Sequence, residues 1–541
     1  MMNDANPLHE AALAWIAQDP DPVTREELQA LVDAGDDDAL ADRFSGRLEF
    51  GTAGLRGELG AGPNRMNRVV VARAAAGLAA YLLAQGDEPS AVVGYDARHN
   101  SDVFARDSAE ILAGAGVRVT LLPEPLPTPV LAFAIGRLRA DAGVMVTASH
   151  NPPRDNGYKV YLGDSAQIRP PVDAEISAAI DAVGPVDELP RSQDYEVADD
   201  ELTLGYLETA ALTVPNGPRT ITAVYTPIHG VGAEIMERAA GAAGFAPLIV
   251  VPEQREPDPD FPTVAFPNPE EPGAIDLALA LARKANADLV LANDPDADRC
   301  AVAVPDGASW RMLSGDEVGA LLADLLLRRG VRGVYASSLV SSDLLGRQAA
   351  AVDQPWRQTL TGFKWLGAIP DLVFGYEEAL GYSVAPHISR DKDGVTAALA
   401  VLDLAATLRS EGRTLLDRLD DIHRRHGVHL TGQVSVRVED RSLIEQAMTG
   451  LRSTPPSLIG GLAVASVHDL AEGFEGLPPT DGVLARLDGG ARVIWRPSGT
   501  EPKLKCYVQV VEEVAGDDLA AARSQARRRL DAVTADLSLA L

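Results

Sequence analysis

A serine-containing loop, Thr147–Pro152, has the sequence TASHNP and directly follows an apolar, strand-like run. A loop in that place presents the Ser149 hydroxyl at the carboxyl edge of a sheet, where α/β proteins bind ligands. His150 is adjacent to this hydroxyl, and Lys159 follows in the segment DNGYKVY. A Ser-His dipeptide taken alone is more often a turn with short-range backbone hydrogen bonds, and the G-x-S-x-G elbow of hydrolases is missing here. The loop therefore indicates chemistry only if other segments supply phosphate or metal ligands.

Three aspartates, Asp294, Asp296 and Asp298, alternate through a loop that follows the apolar run ADLVLAN. The alternation places the three carboxylates on one side of the chain, where they can converge on a hard cation that prefers oxygen ligands. An EF-hand calcium loop is excluded because Arg299 replaces the required glycine and Pro305 stands where the bidentate glutamate belongs. Three monodentate carboxylates leave coordination open for a phosphate oxygen, which favours magnesium. An acidic turn without a metal is the alternative.

Two further charged loops lie downstream. The segment GYEEALGY contains Glu377 and Glu378 between glycines, where their carboxylates could accept hydrogen bonds from sugar hydroxyls. The alternative is the first turn of a helix, which favours acidic residues. The segment SRDKDG contains Lys392 and precedes an Ala/Leu-rich helix. Its alternative interpretation is a solvated helix entry.

Basic, glycine-rich segments elsewhere could bind an anion. The segment RPSGTEPK spans Arg496–Lys503, and its hydroxyls, loop amides and arginine can all donate to a phosphate. It is not a P-loop because the G-x-x-x-x-G-K-[ST] spacing is missing, and a surface turn is an equal alternative. FGTAGLRGELG carries Arg56, which could reach an anion from the N-terminal side. TLTGFKWLG carries Thr361, Gly362 and Lys364 in a short loop.

The composition narrows the possible functions. A chain of 541 residues with 46% hydrophobic residues is long enough for several domains with sizeable cores. Its formal net charge of -30 argues against a general nucleic-acid binder. Cys300 and Cys506 each lie in an apolar, strand-like run, which predicts buried free thiols. The N-terminal segment lacks the pattern of a signal peptide. The sequence contains no run of about 18 apolar residues, so no membrane span is predicted. A cytoplasmic protein is therefore expected.

Short β-rich runs alternate with Ala/Leu-rich helical runs through most of the chain. This alternation predicts α/β units with largely parallel strands. The C-terminal segment differs because it mixes short strands with one long terminal helix, which predicts an α+β closing domain. We place the domain boundaries so that the four domains span residues 1–215, 216–329, 330–432 and 433–541.

Together these segments resemble the α-D-phosphohexomutase superfamily. The four motifs TASHNP, DPDADR, GYEEALGY and RPSGTEPK occur in the family's order and at comparable spacing, and the resemblance runs from Phe50 to the terminal helix. FGTAGLRG and TGFKW look like the subgroup that contains bacterial phosphoglucomutase/phosphomannomutase enzymes and animal phosphopentomutase-like members. The resemblance implies a heart-shaped arrangement of four domains around one cleft. Three would be related α/β domains and the last a smaller α+β domain, each supplying one motif.

The resemblance also implies roles for individual residues. Ser149 would be phosphorylated in the resting enzyme, and the three aspartates would hold one Mg²⁺ together with that phosphate, with Arg299 beside them. Glu377 and Glu378 sit where the family contacts sugar hydroxyls. Ala379 replaces the serine of the common Gly-Glu-x-Ser-Gly pattern, which leaves the identity of the sugar open. The phosphate that is not being transferred would be held by Arg496, Ser498, Gly499 and Thr500.

The expected reaction interconverts a sugar 1-phosphate and a sugar 6-phosphate through a sugar 1,6-bisphosphate, which is both intermediate and activator. Glucose is the first choice of sugar, followed by mannose and then by ribose or deoxyribose. Lys159 is the first candidate for the general base, and Lys392 and His150 are alternatives. Arg56 is a further catalytic candidate. The remaining candidates for substrate binding are Thr361, Gly362 and Lys364.

Two other classes of function are open. A catalytically silent, sugar-phosphate-binding paralogue is one, but such a binder need not keep both Ser149 and the three aspartates. A phosphatase is the other, if the cleft admits water. A monomer or weak dimer that binds a phosphosugar, with no nucleic acid and no membrane as partner, is expected in each case.

Overall fold

The computed structural model describes residues 6–51, 54–438, 440–497 and 503–540. The chain forms two compact units. The first unit contains the chain up to Met312 together with Ala385–Asp403, and the second contains Leu313–Val384 together with Leu404–Leu541. Two mixed sheets lie in the first unit, and a mixed sheet and an antiparallel sheet lie in the second.

Three short helices precede the first sheet: α1 (Pro7–Gln18), α2 (Pro22–Ala34) and α3 (Asp37–Phe44). Each begins after a polar residue whose side chain accepts a backbone N–H of the first turn, which is a favourable N-cap. The rings of Trp15 and Phe44 pack edge to face with their centroids 6.2 Å apart. This contact joins α1 to the end of α3.

The first sheet is built from six strands: β1 (Leu55–Glu58), β2 (Ser90–Tyr95), β3 (Arg118–Leu121), β4 (Ala142–Val146), β5 (Asp155–Leu162) and β6 (Glu196–Val197). Their order is β1-β5-β4-β2-β3-β6. Strands β4, β2, β3 and β6 run parallel to one another. Strand β5 is antiparallel to β4, and β1 is antiparallel to β5. The helices of this domain are α4 (Arg68–Gln85), α5 (Ser101–Gly114), α6 (Thr128–Leu138), α7 (Val172–Asp181) and α8 (Asp200–Leu212).

Helix α4 is long and apolar enough to cross a membrane, judged by length and composition alone. Half of this helix is nevertheless buried within the protein, and it packs against α5 and α7. Its residues Val71 and Leu78 enter the same hydrophobic core as Phe104 of α5. A core helix passes the same test as a membrane span, so α4 is weak evidence for a membrane.

The second sheet contains β7 (Ala223–Thr226), β8 (Ile249–Val250), β9 (Leu289–Ala292), β10 (Ala301–Asp306) and β11 (Ser309–Met312). Their order is β11-β10-β9-β7-β8. Strands β8, β7 and β9 are parallel, and β10 is antiparallel to β9. The accompanying helices are α9 (Gly232–Ala242) and α10 (Asp276–Ala285).

The third sheet contains β12 (Val334–Ser338), β13 (Trp356–Thr359), β14 (Leu372–Glu377) and β15 (Gly381–Ser383). Their order is β13-β12-β14-β15, with the first three strands parallel and β15 antiparallel to β14. The helices of this part of the chain are α11 (Gly315–Arg328), α12 (Leu344–Ala350), α13 (Phe363–Leu366), α14 (Gly394–Ser410) and α15 (Leu415–His426).

The C-terminal domain has an antiparallel sheet in the order β16-β21-β20-β19-β18-β17. Its strands are β16 (Val428–Arg437), β17 (Leu458–Ile459), β18 (Leu462–Asp469), β19 (Val483–Leu487), β20 (Arg492–Pro497) and β21 (Lys503–Glu512), and its helices are α16 (Arg441–Ser453) and α17 (Leu519–Ala540). Helix α17 packs against β16 and β21. The predicted α+β closing domain with a long terminal helix is confirmed.

The first three sheets repeat one topology. In each, three adjacent strands are parallel (β3-β2-β4, β8-β7-β9 and β13-β12-β14), and the next strand along the chain is antiparallel to the last of the three. The connection before that antiparallel strand is the serine loop in the first sheet and the aspartate loop in the second. In the third sheet it is the turn Glu378–Leu380. Three related α/β domains therefore place three of the predicted motifs at the same topological position.

Candidate active site

The serine loop connects β4 to β5 at the carboxyl end of the parallel strands. Ser149 has a left-handed backbone conformation, with φ of 54°, and its N–H donates to the Thr147 hydroxyl at 2.9 Å. The Ser149 hydroxyl donates to Asp294 Oδ2 at 2.8 Å and lies 3.1 Å from His150 Nδ1. The fold thus brings the predicted nucleophile into direct contact with the first of the predicted metal ligands, although 145 residues separate them in the sequence.

The three aspartates form one buried cluster. Asp294, Asp296 and Asp298 each offer a carboxylate oxygen within 4.8 Å of the others, and none of the three is exposed to solvent. Burial and the two neighbouring carboxylates raise the pKa of Asp294 well above its ordinary value. Burial also opposes the charged form of Asp298, but Lys159 and Lys392 hold the pKa of that carboxyl below its ordinary value. Cations next to these carboxylates therefore stabilise their charged forms.

The chemistry of the cluster fits a divalent cation. Asp296 Oδ1 and Asp298 Oδ1 are buried, and neither accepts a hydrogen bond from the residues that the structure describes. Buried carboxylate oxygens are costly unless a donor or a cation satisfies them. With the Ser149 oxygen, all the available ligand atoms would be oxygens, which Mg²⁺ prefers. The three aspartates could thus hold the predicted ion.

Two buried lysines neutralise this cluster. The Lys159 Nζ, on β5, lies 2.6 Å from Asp296 Oδ2 and 2.8 Å from Asp298 Oδ2. Burial alone would lower the pKa of Lys159, but the two carboxylates outweigh it and raise that pKa above its ordinary value. The Lys392 Nζ lies 3.1 Å from the same Asp298 oxygen. Both lysines that the sequence offered as general bases therefore lie at the carboxylates.

Two arginines border the cluster. The Arg299 Nε lies 3.9 Å from Asp294 Oδ2 and 4.0 Å from Asp298 Oδ1. Arg56 lies on β1, opposite Gly157 of β5 in the antiparallel pair. Burial lowers the pKa of Arg56, and the charges of all three aspartates oppose this effect. The glycine-rich N-terminal segment therefore does supply a cation to the same site.

His150 lies beside the Ser149 hydroxyl. Burial and the nearby charge of Arg299 lower its pKa well below the ordinary value. Its Nδ1 lies 4.0 Å from Asp294 Oδ2, in addition to its contact with the Ser149 hydroxyl. The lowered pKa makes this ring a weaker base than a free imidazole, although its Nδ1 lies within hydrogen-bond distance of the Ser149 hydroxyl.

The loop that delivers Lys392 is buried and fixed by distant side chains. Asp391 accepts hydrogen bonds from Tyr161 at 2.8 Å and from Gln167 at 2.5 Å. Asp393 accepts one from Tyr206 at 2.9 Å. Since Asp391 and Asp393 are both buried, the alternative interpretation of SRDKDG as a solvated helix entry is wrong.

Two residues at the site escaped the sequence analysis. The Thr128 hydroxyl donates to Asp296 Oδ2 at 2.5 Å, and no sequence pattern pointed to it. The Arg98 guanidinium donates to four backbone carbonyls of the serine-loop region. Arg98 follows β2, whose carboxyl end lies beside that of β4, so its position at this sheet edge was a usable signal.

In the second unit, the two predicted sugar-contacting glutamates lie at the turn from β14 to β15. Glu377 Oε1 accepts the Gly362 N–H at 2.7 Å, which joins two predicted substrate-binding segments. Glu378 Oε2 accepts hydrogen bonds from the Ser338 hydroxyl at 3.1 Å and the Ser341 hydroxyl at 2.9 Å. Burial and the charge of Glu377 raise the pKa of Glu378. The alternative of a helix N-terminal turn for GYEEALGY is wrong.

The remaining substrate-binding candidates are also in the second unit. Thr361 precedes Gly362, and Lys364 lies on the short helix α13. Arg496 lies on β20, opposite Lys505 of β21. The other predicted phosphate-binding residues, Ser498, Gly499 and Thr500, lie outside the described residues.

Comparison with known proteins covers nearly the whole chain. Four phosphoglucomutase/phosphomannomutase domains match it in order: the alpha/beta/alpha domains I, II and III at residues 47–186, 205–307 and 314–425, and the C-terminal domain at 434–526. A solved phosphoglucomutase/phosphomannomutase family protein from Burkholderia thailandensis has a similar fold, with a TM-score of 0.67 and 21% identity. That alignment covers 89% of this chain and 97% of the other.

Two curated relatives support the same assignment. A Haemophilus influenzae protein named probable phosphomannomutase is 49% identical over 451 residues, which cover 82% of this chain and 92% of the relative. The phosphopentomutase of Mus musculus is 34% identical and covers 94% of this chain and 91% of its own length. The matched domain families, the similar fold and the curated relatives all agree with the superfamily that the four sequence motifs resemble. The chain belongs to the phosphoglucomutase/phosphomannomutase family of the α-D-phosphohexomutase superfamily and is a sugar-phosphate mutase.

Proposed function

We propose that this enzyme interconverts a sugar 1-phosphate and a sugar 6-phosphate through phosphorylated Ser149 and a sugar 1,6-bisphosphate. The contact between the Ser149 hydroxyl and Asp294, inside a cluster of three buried carboxylates, is the observation that carries the proposal. A simple binder needs neither a buried serine hydroxyl nor three convergent carboxylates at that hydroxyl. A phosphoryl carrier needs both.

The phosphoryl group moves in two balanced steps. In the first, an oxygen of the substrate hydroxyl attacks the phosphorus, the bond from phosphorus to Ser149 Oγ breaks, and the sugar bisphosphate forms. In the second, Ser149 Oγ gives up its proton and attacks the other phosphorus of the bisphosphate, the bond from that phosphorus to the sugar oxygen breaks, and the sugar oxygen takes up a proton as the isomeric monophosphate leaves. The proton that the substrate hydroxyl loses in the first step is matched by the one that Ser149 Oγ gains.

The phosphate on Ser149 would lie among groups that favour negative charge. Arg299 and Arg56 border the carboxylate cluster, so both can donate to phosphate oxygens. Magnesium held by Asp294, Asp296 and Asp298 would neutralise charge on the transferring group. The two arginines orient that group so that the serine oxygen can leave in line with the attacking hydroxyl.

The proton transfer has three candidate groups. Lys159 is the first candidate for the general base because its Nζ lies within the cluster, but it must lose a proton to act as a base, and its contacts with Asp296 and Asp298 oppose that loss. Lys392, in the SRDKDG segment, is the alternative general base. His150 Nδ1 lies 3.1 Å from Ser149 Oγ, which makes this ring a candidate for proton exchange with the serine itself.

Glucose is our first choice of sugar. Glu377 and Glu378 are the residues that would read its hydroxyls, and Ala379 in place of serine is compatible with more than one sugar. Mannose phosphates and pentose phosphates are the alternatives, since the relatives named above are a probable phosphomannomutase and a phosphopentomutase. The same mechanism serves each of these substrates, but a pentose would form a 5-phosphate and a 1,5-bisphosphate in place of the 6-phosphate and the 1,6-bisphosphate.

A substrate panel tests both parts of the proposal. Isomerisation rates are measured with glucose, mannose, ribose and deoxyribose 1-phosphates, in the presence and absence of Mg²⁺ and of the matching bisphosphate. Ser149→Ala should abolish turnover on every sugar. Ser108→Ala is the matched control, because Ser108 is a buried serine of the same domain whose hydroxyl donates to the Phe104 carbonyl and accepts from the Tyr158 hydroxyl, instead of donating to the aspartate cluster.

Three outcomes would count against the proposal. Full activity of the Ser149→Ala protein would refute the role of Ser149 as the phosphoryl carrier. A Ser149 peptide that carries no phosphoryl group after exposure to a sugar bisphosphate would do the same. A preference for mannose or a pentose would replace only the choice of sugar.

A further inference from the structure

The Arg98 side chain lies beneath the serine loop, 51 residues from Ser149 in the sequence. It is buried, with 4% of its surface exposed. Its Nη2 donates to the carbonyls of Ser149 at 2.7 Å and Asn151 at 2.6 Å. Its Nη1 donates to the carbonyls of Pro152 at 2.8 Å and Asp155 at 3.1 Å. One guanidinium therefore satisfies four carbonyls along a single turn.

These four carbonyls belong to a turn that is unfavourable without support. Ser149 is in the left-handed region, with φ of 54°, where a non-glycine residue costs about 1–2 kcal/mol. Carbonyls that converge on one point also repel one another unless a cation lies between them. The Arg98 guanidinium occupies that point, so it stabilises the backbone conformation that aims the Ser149 hydroxyl at Asp294.

The guanidinium is itself held in one orientation. Asp96 Oδ2 lies 3.4 Å from the Arg98 Nε, and Asp96 Oδ1 accepts the Arg98 backbone N–H at 3.0 Å. The Arg98 Cζ lies over the Phe261 ring, 5.0 Å from the centroid of that ring. Asp96 also binds the side chain of Thr147, whose hydroxyl accepts the Ser149 N–H. Asp96 and Arg98 thus hold the backbone of Ser149 at both its N–H and its carbonyl.

We propose that Arg98 is a positioning residue for phosphoryl transfer, acting through the backbone of the serine loop and not through contact with the substrate. The proposal rests on Ser149 as the phosphoryl carrier. All four Nη contacts are to backbone carbonyls and the side chain is buried, so no substrate atom needs to reach Arg98. A lysine cannot replace it, because one ammonium has neither the planar fork nor enough donors for four acceptors.

The proposal predicts different effects on KM and on the rate of phosphoryl transfer. Substrate is bound by groups other than Arg98, so KM should change little when Arg98 is replaced. The rate of phosphoryl transfer should fall, since a displacement of about 1 Å at a reacting atom can cost about 100-fold in rate. A residue needed only for folding would lower the melting temperature without changing the rate per folded molecule.

Arg98→Lys is the primary variant, and Arg68→Lys is its matched control. Arg68 makes a bidentate pair with Asp107 in the same domain, at 2.6 Å and 2.8 Å, away from the serine loop. Rapid-quench measurements follow the transfer of labelled phosphate from Ser149 to a sugar monophosphate in a single turnover, beside KM and the melting temperature. We expect Arg98→Lys to lower the transfer rate by about 100-fold with KM changed less than about threefold, and Arg68→Lys to leave both unchanged.

A transfer rate for Arg98→Lys within about threefold of the wild type would overturn the proposal, given the size of effect expected from a misplaced loop. If that variant does not fold, Asp96→Asn decides, because it keeps the shape of Asp96 and removes the charge that orients Arg98. An unchanged transfer rate in Asp96→Asn then overturns the proposal, and a lowered rate at unchanged KM supports it. A wild-type protein that transfers no phosphate from Ser149 would instead refute the proposed function, so the two failures are distinguishable.

Discussion

Replacement of Thr128 by valine should raise the magnesium requirement of the enzyme. The Thr128 hydroxyl donates to Asp296 Oδ2 at 2.5 Å, and the Thr128 N–H donates to the Asp296 carbonyl at 2.9 Å. Both residues are fully buried. Valine keeps the shape of threonine but removes the hydroxyl donor, so it changes the support of one proposed metal ligand while the backbone contact stays.

The expected size follows from the hydrogen bond that is lost. A hydrogen bond to a charged group contributes about 1.5–3 kcal/mol, and the loss is partial here because Lys159 Nζ still donates to the same Asp296 oxygen at 2.6 Å. Partners that orient a metal ligand typically change metal affinity by about 10- to 100-fold when they are removed. We therefore expect the Mg²⁺ concentration for half-maximal activity to rise by about 10- to 100-fold in Thr128→Val. The rate at saturating Mg²⁺ should stay within a few fold of the wild type.

The assay is isomerase activity against Mg²⁺ concentration, supported by calorimetric titration of the metal-stripped protein. Thr128→Ser keeps the hydroxyl and should behave like the wild type. Thr24→Val is the matched control, because the Thr24 hydroxyl donates to buried Asp19 at 2.7 Å in the N-terminal helices, far along the chain from the aspartates. An Mg²⁺ curve for Thr128→Val that superimposes on the wild-type curve would refute the assignment of Asp296 as a ligand oriented by Thr128.

Three further predictions rest on other parts of the structure. Gly394→Ala should lower activity, since its Cβ would lie 2.3 Å from a backbone oxygen of the aspartate loop, whereas Gly241→Ala, which meets nothing within 4 Å, should leave activity unchanged in the same assay. Burial raises the pKa of both cysteine thiols to about 12, so a thiol reagent at about pH 8 should label the protein only after denaturation; rapid labelling of the folded protein would contradict this. Arg418→Met should lower the free energy of unfolding by about 1–3 kcal/mol in denaturant titrations, because it removes the bidentate partner of buried Asp324 and leaves that carboxylate paired with Arg328. Arg418→Met with Asp324→Leu should recover much of that loss, and no recovery would show that the pair contributes through packing.

The chemistry-bearing loops could be predicted from the sequence because each is local. Ser149 follows its strand directly, and the three aspartates follow theirs, so strand and loop are read together from neighbouring residues. The α/β class and the closing α+β domain follow from the same local alternation. The antiparallel strands β5, β10 and β15 depart from the largely parallel prediction, since strand direction depends on a turn that periodicity does not reveal.

The residues that hold these loops could not be predicted because their contacts are distant. Thr128 reaches Asp296 across 168 residues, and Arg98 reaches Ser149 across 51. The SRDKDG segment shows the same limit. Its alternating charges favour a solvated surface when read alone, whereas in the fold Tyr161 and Tyr206 cover its two outer aspartates from 230 and 187 residues away. Burial of a charge is decided by partners that no local pattern contains.

The three equivalent loops also share a backbone feature that links the repeated fold to its chemistry. Each contains one non-glycine residue in the left-handed region: Ser149 with φ of 54°, Ala297 with φ of 53° and Leu380 with φ of 63°. Such residues persist only where the surroundings over-determine them, and they cluster at functional sites. Here the cause is topological, because the chain must reverse within a few residues from the last parallel strand to an antiparallel neighbour. That reversal places side chains at the carboxyl edge of the sheet, so the same left-handed turn, repeated three times, accompanies the serine that we propose as the phosphoryl carrier, the aspartates and the glutamates.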